Sequence, residues 1–122
     1  MGVFSVSVEI GDPAGRNFRP VEVWVDTGSS HTALPASLLR ELGVTPHARQ
    51  SFVLADGRSV DSEIGRTWIR IDGRSEVTIV VFAEEGTQPL LGAVTLEELR
   101  LGVDPVARKL IPVPGYALGV NG

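Results

Sequence analysis

The residues best suited to chemistry stand in the segment 25–30, VDTGSS, where an apolar run leads directly into an acidic residue and a glycine. The preceding run, 21–25, is rich in β-branched and aromatic residues and predicts a strand that stops at Asp26. A carboxyl group at a strand end can act as a general acid or a general base, because loops there can build a site around it. The triplet Asp26-Thr27-Gly28 alone also fits an ordinary hairpin turn, so its weight depends on the rest of the chain.

The distribution of apolar residues predicts a single β-rich domain. The chain has 122 residues, of which 43% are hydrophobic, and these form short Val, Ile and Leu runs separated by Gly, Pro and Asp. Short apolar runs bounded by turn residues are typical of strands. A chain of this length can bury one core of modest size, so we expect residues 1–122 to form one domain.

Charge and composition argue against several classes of function. The formal net charge is −4 and the 11 Lys and Arg residues are scattered singly, so we expect no nucleic-acid partner. The chain has no Cys, and the spacing of its His, Asp and Glu residues suggests no closed metal site, so we expect neither a metal nor another cofactor. No apolar run approaches the roughly 18 residues of a membrane span. A cytoplasmic location is the default expectation, and a signal or anchor removed from the chain would leave no trace.

Alternating and β-branched patterns predict the strands. We expect them at 3–10, 21–25, 51–54, 59–71 and 76–83. The last of these is the most β-prone run and the best candidate for a central strand. Asp-Gly pairs at 56–57 and 72–73 predict tight turns, because both residue types tolerate positive φ. A long, rather polar hairpin is therefore expected around residue 57.

Two short helices are predicted between the strands. The first runs from Pro35, which suits a first helical turn, to Gly43, and its leucines recur at three- and four-residue spacing. The second begins with a capping-box pattern from Thr95 to Glu98 and ends at Gly102. We interpret the acidic pair at 97–98 as solvated, since negative charge is favoured at a helix start.

Three features follow one another in a fixed order. They are the Asp26 segment, a glycine-bearing hairpin near residue 57, and Leu90-Leu91-Gly92 leading into a helix. In this order they resemble the retropepsin-like (clan AA) single-domain aspartic proteases, over most of the chain. The tract 55–66 also looks like that of eukaryotic members of the DNA-damage-inducible type, so the resemblance implies a bacterial member or one of that type. The resemblance implies an all-β fold: a small closed acid-protease β-barrel with a flap hairpin and one or two short helices.

The resemblance also implies roles for individual residues. Asp26 would be the catalytic acid, with Thr27 bonding across a two-fold axis, the Gly28 amide close to the carboxylate, and the Ser29 hydroxyl donating to it. The flap and substrate-binding residues would be Leu54, Ala55, Asp56, Gly57 and Arg58. Further candidates for the apolar subsites are Leu34, Val53, Leu90, Leu91 and Gly92.

The implied reaction needs a second copy of the chain. Peptide hydrolysis without a metal or a covalent intermediate requires a general base to activate water and a general acid to protonate the departing amine, and two carboxyls that share one proton can divide these tasks. One chain supplies a single Asp-Thr-Gly triplet, so we expect a homodimer in which Asp26 from each subunit meets on the two-fold axis. The substrate would be a peptide or protein.

Three points remain open at the level of sequence. The chain could be a non-catalytic retropepsin-fold module for peptide binding or dimerisation, because a fold does not guarantee its chemistry. The tract 109–120 is apolar, but Pro112 and Pro114 lack an amide donor and predict an edge or bulged strand, so the viral pattern of interleaved terminal strands could differ here. His31 could touch substrate, although a packed or solvated histidine is the simpler interpretation.

Overall fold

The computed structural model of the protein describes residues 4–114. The strands in this range are β1 (Ser5–Gly11), β2 (Phe18–Val25), β3 (Thr32–Pro35), β4 (Ala48–Val53), β5 (Ser59–Ile71), β6 (Arg74–Ala83), β7 (Leu90–Leu91), β8 (Leu101–Asp104) and β9 (Lys109–Pro112). The helices are α1 (Ala36–Glu41) and α2 (Ala93–Glu98). The predicted all-β fold with short helices is therefore confirmed.

One sheet contains most of the strands. Its order is β1-β2-β7-β3-β6-β5-β4, and an additional antiparallel pairing joins β1 to β5 through Glu9–Arg70 and Ile10–Ile69. The pairings therefore return from β5 to β1, as in a small barrel, while β4 extends from the ring as the outer arm of a hairpin. β6 lies between β3 and β5, as expected for the most β-prone run.

The tight turns form where Asp-Gly pairs predict them. Asp72 and Gly73, between β5 and β6, have φ values of 50° and 77°, and a two-residue hairpin turn of the I′ type needs positive φ at both positions. Gly57, between β4 and β5, has φ 87°. These turns set the register of β5 against β4 and β6.

The first helix ends as predicted. Gly43 has φ 82°, its amide donates to the Arg40 carbonyl, and the Val44 amide donates to the Leu39 carbonyl, which is the Schellman pattern. The strand before this helix, β3, was not predicted, because four residues carry too short a pattern. It forms because its parallel pairing with β6 and its contact with β7 bury it.

The predicted bounds of the second helix are wrong. α2 begins after Gly92, which has no side chain to cap the helix, and Thr95 lies inside the helix with its hydroxyl buried and bonded to Thr32 and Thr78. The helix ends at Glu98 with Leu99 as its C-cap, and the next residue, Arg100, has φ 58°, whereas Gly102 lies in β8. A capping-box pattern cannot by itself distinguish a cap from a buried threonine inside the first turn of the helix.

The C-terminal tract forms a small separate sheet. β8 pairs with β9 in an antiparallel register in which Leu101 faces Pro112, and β9 is an edge strand, as its proline predicts. Residues 115–120 of the predicted strand lie outside the described residues. Within residues 4–114, no helix has both the length and the apolarity to cross a membrane.

The core lies inside the ring of strands and against the two helices. Its fully buried large side chains are Ile10, Leu34, Leu39, Ile69, Leu91, Leu99, Val8, Val23, Val25 and Val80. Each such side chain contributes about 1.5–3 kcal/mol through removal from water. Because β2 and β7 both contribute to this core, the ends of these two strands have rigid support.

Candidate active site

Asp26 directly follows β2, at a point where the buried core meets the surface. Val23 and Val25 are fully buried, so the strand that carries the aspartate is anchored, and the aspartate itself is 9% exposed. Thr27 and Gly28, the next two residues, are exposed. The carboxyl group therefore lies beneath a surface formed by its own loop.

Two hydrogen bonds from the same loop hold the Asp26 carboxylate. The Gly28 amide donates to Oδ1 and the Ser29 hydroxyl donates to Oδ2, both at 3.0 Å. Burial raises the pKa of the carboxyl because it disfavours the charged form, whereas donated hydrogen bonds, those from Ser29 and Gly28 among them, lower it. The net pKa in the single chain is lowered, so the carboxylate is the favoured form at neutral pH.

The segment 89–94 crosses beside this loop and is bonded to it on both sides. The Asp26 amide donates to the Leu91 carbonyl at 3.0 Å, and the Ala93 amide donates to the Ser29 carbonyl at 2.8 Å. The Val94 amide adds a bond of 3.0 Å to the next carbonyl, at Ser30. The predicted apolar-apolar-Gly element therefore does lie against the loop that carries the aspartate.

Gly92 is required at the crossing by close approach of two backbones. A Cβ atom at this position would lie 2.5 Å from the carbonyl carbon of His31 and 2.6 Å from its oxygen. Backbone atoms cannot give way as a flexible side chain can, so any other residue would push the two segments apart. The Gly92 amide also donates to the Thr32 hydroxyl at 3.1 Å.

The β4–β5 hairpin ends in a closed and polar turn. The Leu54 amide donates to the Arg58 carbonyl at 2.7 Å, and the Gly57 amide donates to the Leu54 carbonyl at 2.9 Å. Asp56 and Arg58 form an exposed ion pair of 2.7 Å. The Arg58 amide and guanidinium donate to Asp56 and lower the pKa of its carboxyl. Ala55, between these residues, is exposed as well.

Of the five further subsite candidates, two have accessible side chains, two are buried and one is a glycine. Val53 is 76% exposed and Leu90 is half-buried beside Trp24, while the flap candidate Leu54 is 36% exposed. Leu34 and Leu91 are fully buried, and a side chain without accessible surface cannot contact a peptide. These two leucines are therefore core residues that support the site, and their prediction as subsite residues is corrected. Gly92 has no side chain to offer and acts through its backbone.

His31 connects the aspartate loop with the β4–β5 hairpin. Its ring meets that of Phe52 edge-on, with centroids 5.8 Å apart and an interplanar angle of 85°. Its Nδ1 atom is buried and has no hydrogen-bond partner within the described part of the chain. The interpretation of a packed histidine agrees with this contact, which places strand β4 next to the aspartate loop.

The sequence did not predict a polar network that lies under the crossing of segment 89–94 and the Asp26 loop. Thr32, Thr78 and Thr95 are buried and bonded to one another, and Thr78 also donates to Glu98. Glu98 is thus not simply solvated as predicted. No local pattern could have revealed this network, since its members come from three separate elements. Among residues 4–114 no group of three or more His, Asp or Glu side chains could hold a metal ion.

The fold is shared with viral proteases of known structure. The EIAV protease complexed with the inhibitor HBY-793 matches with a TM-score of 0.58 and 19% identity, covering 88% of this chain and 91% of that one. The solution structure of simian foamy virus (mac) protease matches with a TM-score of 0.55 and 16% identity, covering 79% and 94% respectively. At these identities the likeness concerns the fold, which is retropepsin-like.

Membership of a family rests on the sequence itself. The search among curated proteins gave no significant match. A family model described as aspartyl protease matches residues 6–95, which include the whole of β2, the Asp26 loop, the β4–β5 hairpin and the crossing at Gly92. The chain therefore belongs to the aspartyl protease family.

Proposed function

We propose that two copies of this chain form an aspartic endopeptidase that cleaves peptide bonds with water. The observation that carries the proposal is the setting of Asp26. Its carboxylate lies at a rigid strand end, is held by Gly28 and Ser29, and borders the exposed residue Thr27. Membership of the aspartyl protease family supports this reading.

The chemistry requires two carboxyl groups in different protonation states. Two carboxyls a few ångströms apart cannot both ionise cheaply, so the pair holds one proton and titrates as a unit. The ionised group takes a proton from water as the water oxygen bonds to the scissile carbonyl carbon. The protonated group supplies the proton that the departing amine nitrogen needs when the C–N bond breaks. Each chain offers one such residue, so Asp26 of both subunits is needed.

The surfaces around the loop suit a two-fold assembly with an extended peptide. Thr27 is exposed in the single chain, and in the proposed dimer its side chain would bond across the two-fold axis. The β4–β5 hairpin would serve as the flap, and its contact with the aspartate loop through Phe52 and His31 supports this role. The exposed Val53 and Leu54 and the half-buried Leu90 offer apolar contacts to substrate side chains.

The proposal is tested by cleavage of a peptide library across acidic to neutral pH. Asp26→Asn should lower kcat/KM by at least about 10²–10⁴-fold, because the amide can neither accept the proton of water nor supply one. Asp72→Asn is a matched control: Asp72 lies in a turn at φ 50°, which asparagine tolerates equally well. A statine-type transition-state mimic should inhibit the wild type.

The requirement for two chains has its own test. Added Asp26→Asn chain should lower the activity of a fixed amount of wild-type chain, because mixed dimers contain one aspartate. Specific activity should also fall on dilution, in step with dissociation measured by sedimentation. Full activity in a strict monomer, or cleavage that survives Asp26→Asn, would refute the mechanism. Peptide binding without cleavage by the wild type would instead favour a binding module.

A further inference from the structure

A line of buried side chains connects the surface of α2 with the crossing beside Asp26. It consists of the hydroxyls of Thr32, Thr95 and Thr78, which are 0–1% exposed, and it ends at the partly exposed carboxylate of Glu98. The successive oxygen–oxygen distances are 2.6, 2.8 and 2.6 Å. We call the hydroxyls of Thr32, Thr95 and Thr78 the hydroxyl chain. Each link has the length of a good O–H···O hydrogen bond.

The two ends of the hydroxyl chain determine the direction of every bond in it. A carboxylate can only accept, so the single proton of Thr78 goes to Glu98. Thr78 must then accept from Thr95, and Thr95 must accept from Thr32. At the other end the Gly92 amide can only donate, and Thr32, whose own proton is committed to Thr95, accepts from it at 3.1 Å. All three hydroxyl protons are thereby used once.

The amide at the inner end belongs to the segment that holds the aspartate loop. Leu91, on one side of Gly92, accepts from the Asp26 amide, and Ala93, on the other side, donates to the Ser29 carbonyl. Ser29 in turn donates its hydroxyl to the Asp26 carboxylate. A displacement of Gly92 would therefore displace the Asp26 carboxylate, because the hydrogen bonds of Leu91 and Ala93 link the two segments.

We infer that Glu98 is a positioning residue whose carboxylate orients the hydroxyl chain toward itself, so that every hydroxyl proton has an acceptor, including that of Thr32, which accepts the Gly92 amide. A group at position 98 that can only donate, such as an ammonium, could not accept the Thr78 proton, which would then go to Thr95 and reverse the chain. Thr95 would then donate to Thr32, whose oxygen already receives the Gly92 amide and whose own proton would have no acceptor in the chain. Buried polar groups left unmatched in this way are costly, so the crossing would loosen. The effect on catalysis, but not the effect on Gly92, rests on the proposed function.

The direction of the bonds is tested by substitutions that change only the kind of group at position 98. Glu98→Gln retains an acceptor oxygen and should keep amide hydrogen exchange at Gly92 within a few-fold of the wild type. Glu98→Lys supplies donors only and should accelerate that exchange by about tenfold or more. Glu97→Lys is the charge-matched control, since Glu97 is the exposed neighbour on the same helix. Equal exchange rates at Gly92 in Glu98→Lys and Glu97→Lys would overturn the inference.

The middle of the hydroxyl chain provides an independent pair of variants. Thr95→Ser keeps the hydroxyl and should leave the exchange rate of the Gly92 amide within a few-fold of the wild type, whereas the isosteric Thr95→Val should increase that rate by about tenfold or more. Thr67→Val is the control for removal of a buried hydroxyl elsewhere, because Thr67 donates to the Gly11 carbonyl, away from the crossing. If Thr95→Val does not fold, the substitutions at the partly exposed Glu98 still decide the question. Faster exchange at Gly92 in Thr67→Val than in Thr95→Val would count against a specific role.

The kinetic readout separates this inference from the proposed function. If the wild type cleaves peptides, Glu98→Lys should lower kcat by about tenfold with little change in KM. The reason is that displacement of the Asp26 carboxylate affects the reacting atoms more than it affects substrate binding. Glu98→Gln should restore kcat. An unchanged kcat in Glu98→Lys despite faster exchange at Gly92 would overturn the positioning role. Absence of activity in the wild type would refute the proposed function and leave the exchange experiment decisive for the hydroxyl chain.

Discussion

The backbone amide of Asp26 donates a hydrogen bond to the carbonyl oxygen of Leu91, with an N···O distance of 3.0 Å. The two residues are remote in sequence, and the parallel pairing of β2 with β7 brings them together. The aspartate thus takes its position from a segment that follows the hairpin and the central strand in the chain. Changes in that segment are expected to act on the carboxylate without touching it.

Gly92→Ala is the sharpest test of this dependence. The added Cβ would lie 2.5 Å from a backbone carbon of His31, so the two segments must separate. We expect the free energy of unfolding to fall by about 1–3 kcal/mol, as for other overpacked sites, and peptidase activity to be lost. Chemical denaturation and a peptide-cleavage assay measure the two effects.

Gly11→Ala is the control for this substitution. Its Cβ would also make a close contact, at 2.7 Å, but with a ring carbon of the Phe18 side chain rather than with backbone. A side chain can move, so the loss of stability should be smaller and activity should be retained. Equal behaviour of the two variants would show that the crossing at Gly92 tolerates separation and would contradict the expectation.

How much of this arrangement is readable in the sequence depends on the range of the interaction. The turn at Asp72-Gly73 was predictable because its backbone conformation is dictated by the two residues themselves. The short β3 was not, since only its neighbours β6 and β7 make it a strand. The bond from Thr78 to Glu98 spans 20 positions and requires the fold to be known. Long-range polar contacts of this kind leave no periodic pattern.

Ser29→Ala is expected to shift the pH dependence of activity. The Ser29 hydroxyl donates to the Asp26 carboxylate and thereby lowers the pKa of that carboxyl. Without the donor the pKa rises, so the ionised member of the pair forms only at higher pH. The acidic limb of the kcat/KM profile should therefore move toward higher pH.

Two controls accompany the Ser29 variant. Ser29→Thr keeps the hydroxyl and should leave the acidic limb near its wild-type position. Ser30→Ala removes the neighbouring hydroxyl, which lies on an exposed residue, and should leave the limb unchanged. A profile of Ser29→Ala that coincides with that of Ser30→Ala would mean that the hydrogen bond does not influence the catalytic pair.

Gly57→Ala tests whether the β4–β5 hairpin acts as a flap. Gly57 has φ 87° and open space around it, so an alanine there is strained without any clash. The strain should cost about 1–2 kcal/mol and disorder the turn. If the turn covers the substrate, KM should rise in peptide-cleavage kinetics.

The chain contains a close match for this substitution. Gly86 also has φ 87° and open space, and it lies in the loop between β6 and β7 rather than in the hairpin. Gly86→Ala should therefore carry the same strain without a change in KM. A similar rise of KM in both variants would point to a general loss of order and would count against the flap.

Thr27→Ala addresses the assembly that the proposed chemistry requires. Thr27 is exposed in the single chain, so its truncation should leave the monomer fold intact, as judged by circular dichroism. In the proposed dimer each Thr27 bonds across the axis. Loss of two symmetry-related hydrogen bonds, each worth about 0.5–1.5 kcal/mol, should raise the dimer dissociation constant by about tenfold or more.

Thr27→Ser should keep the wild-type dissociation constant because the hydroxyl remains. Sedimentation at several concentrations measures the constant, and specific activity should follow the dimer fraction in all three proteins. An unchanged dissociation constant in Thr27→Ala would place the dimer axis elsewhere and remove the support that Thr27 lends to a site shared by two Asp26 residues.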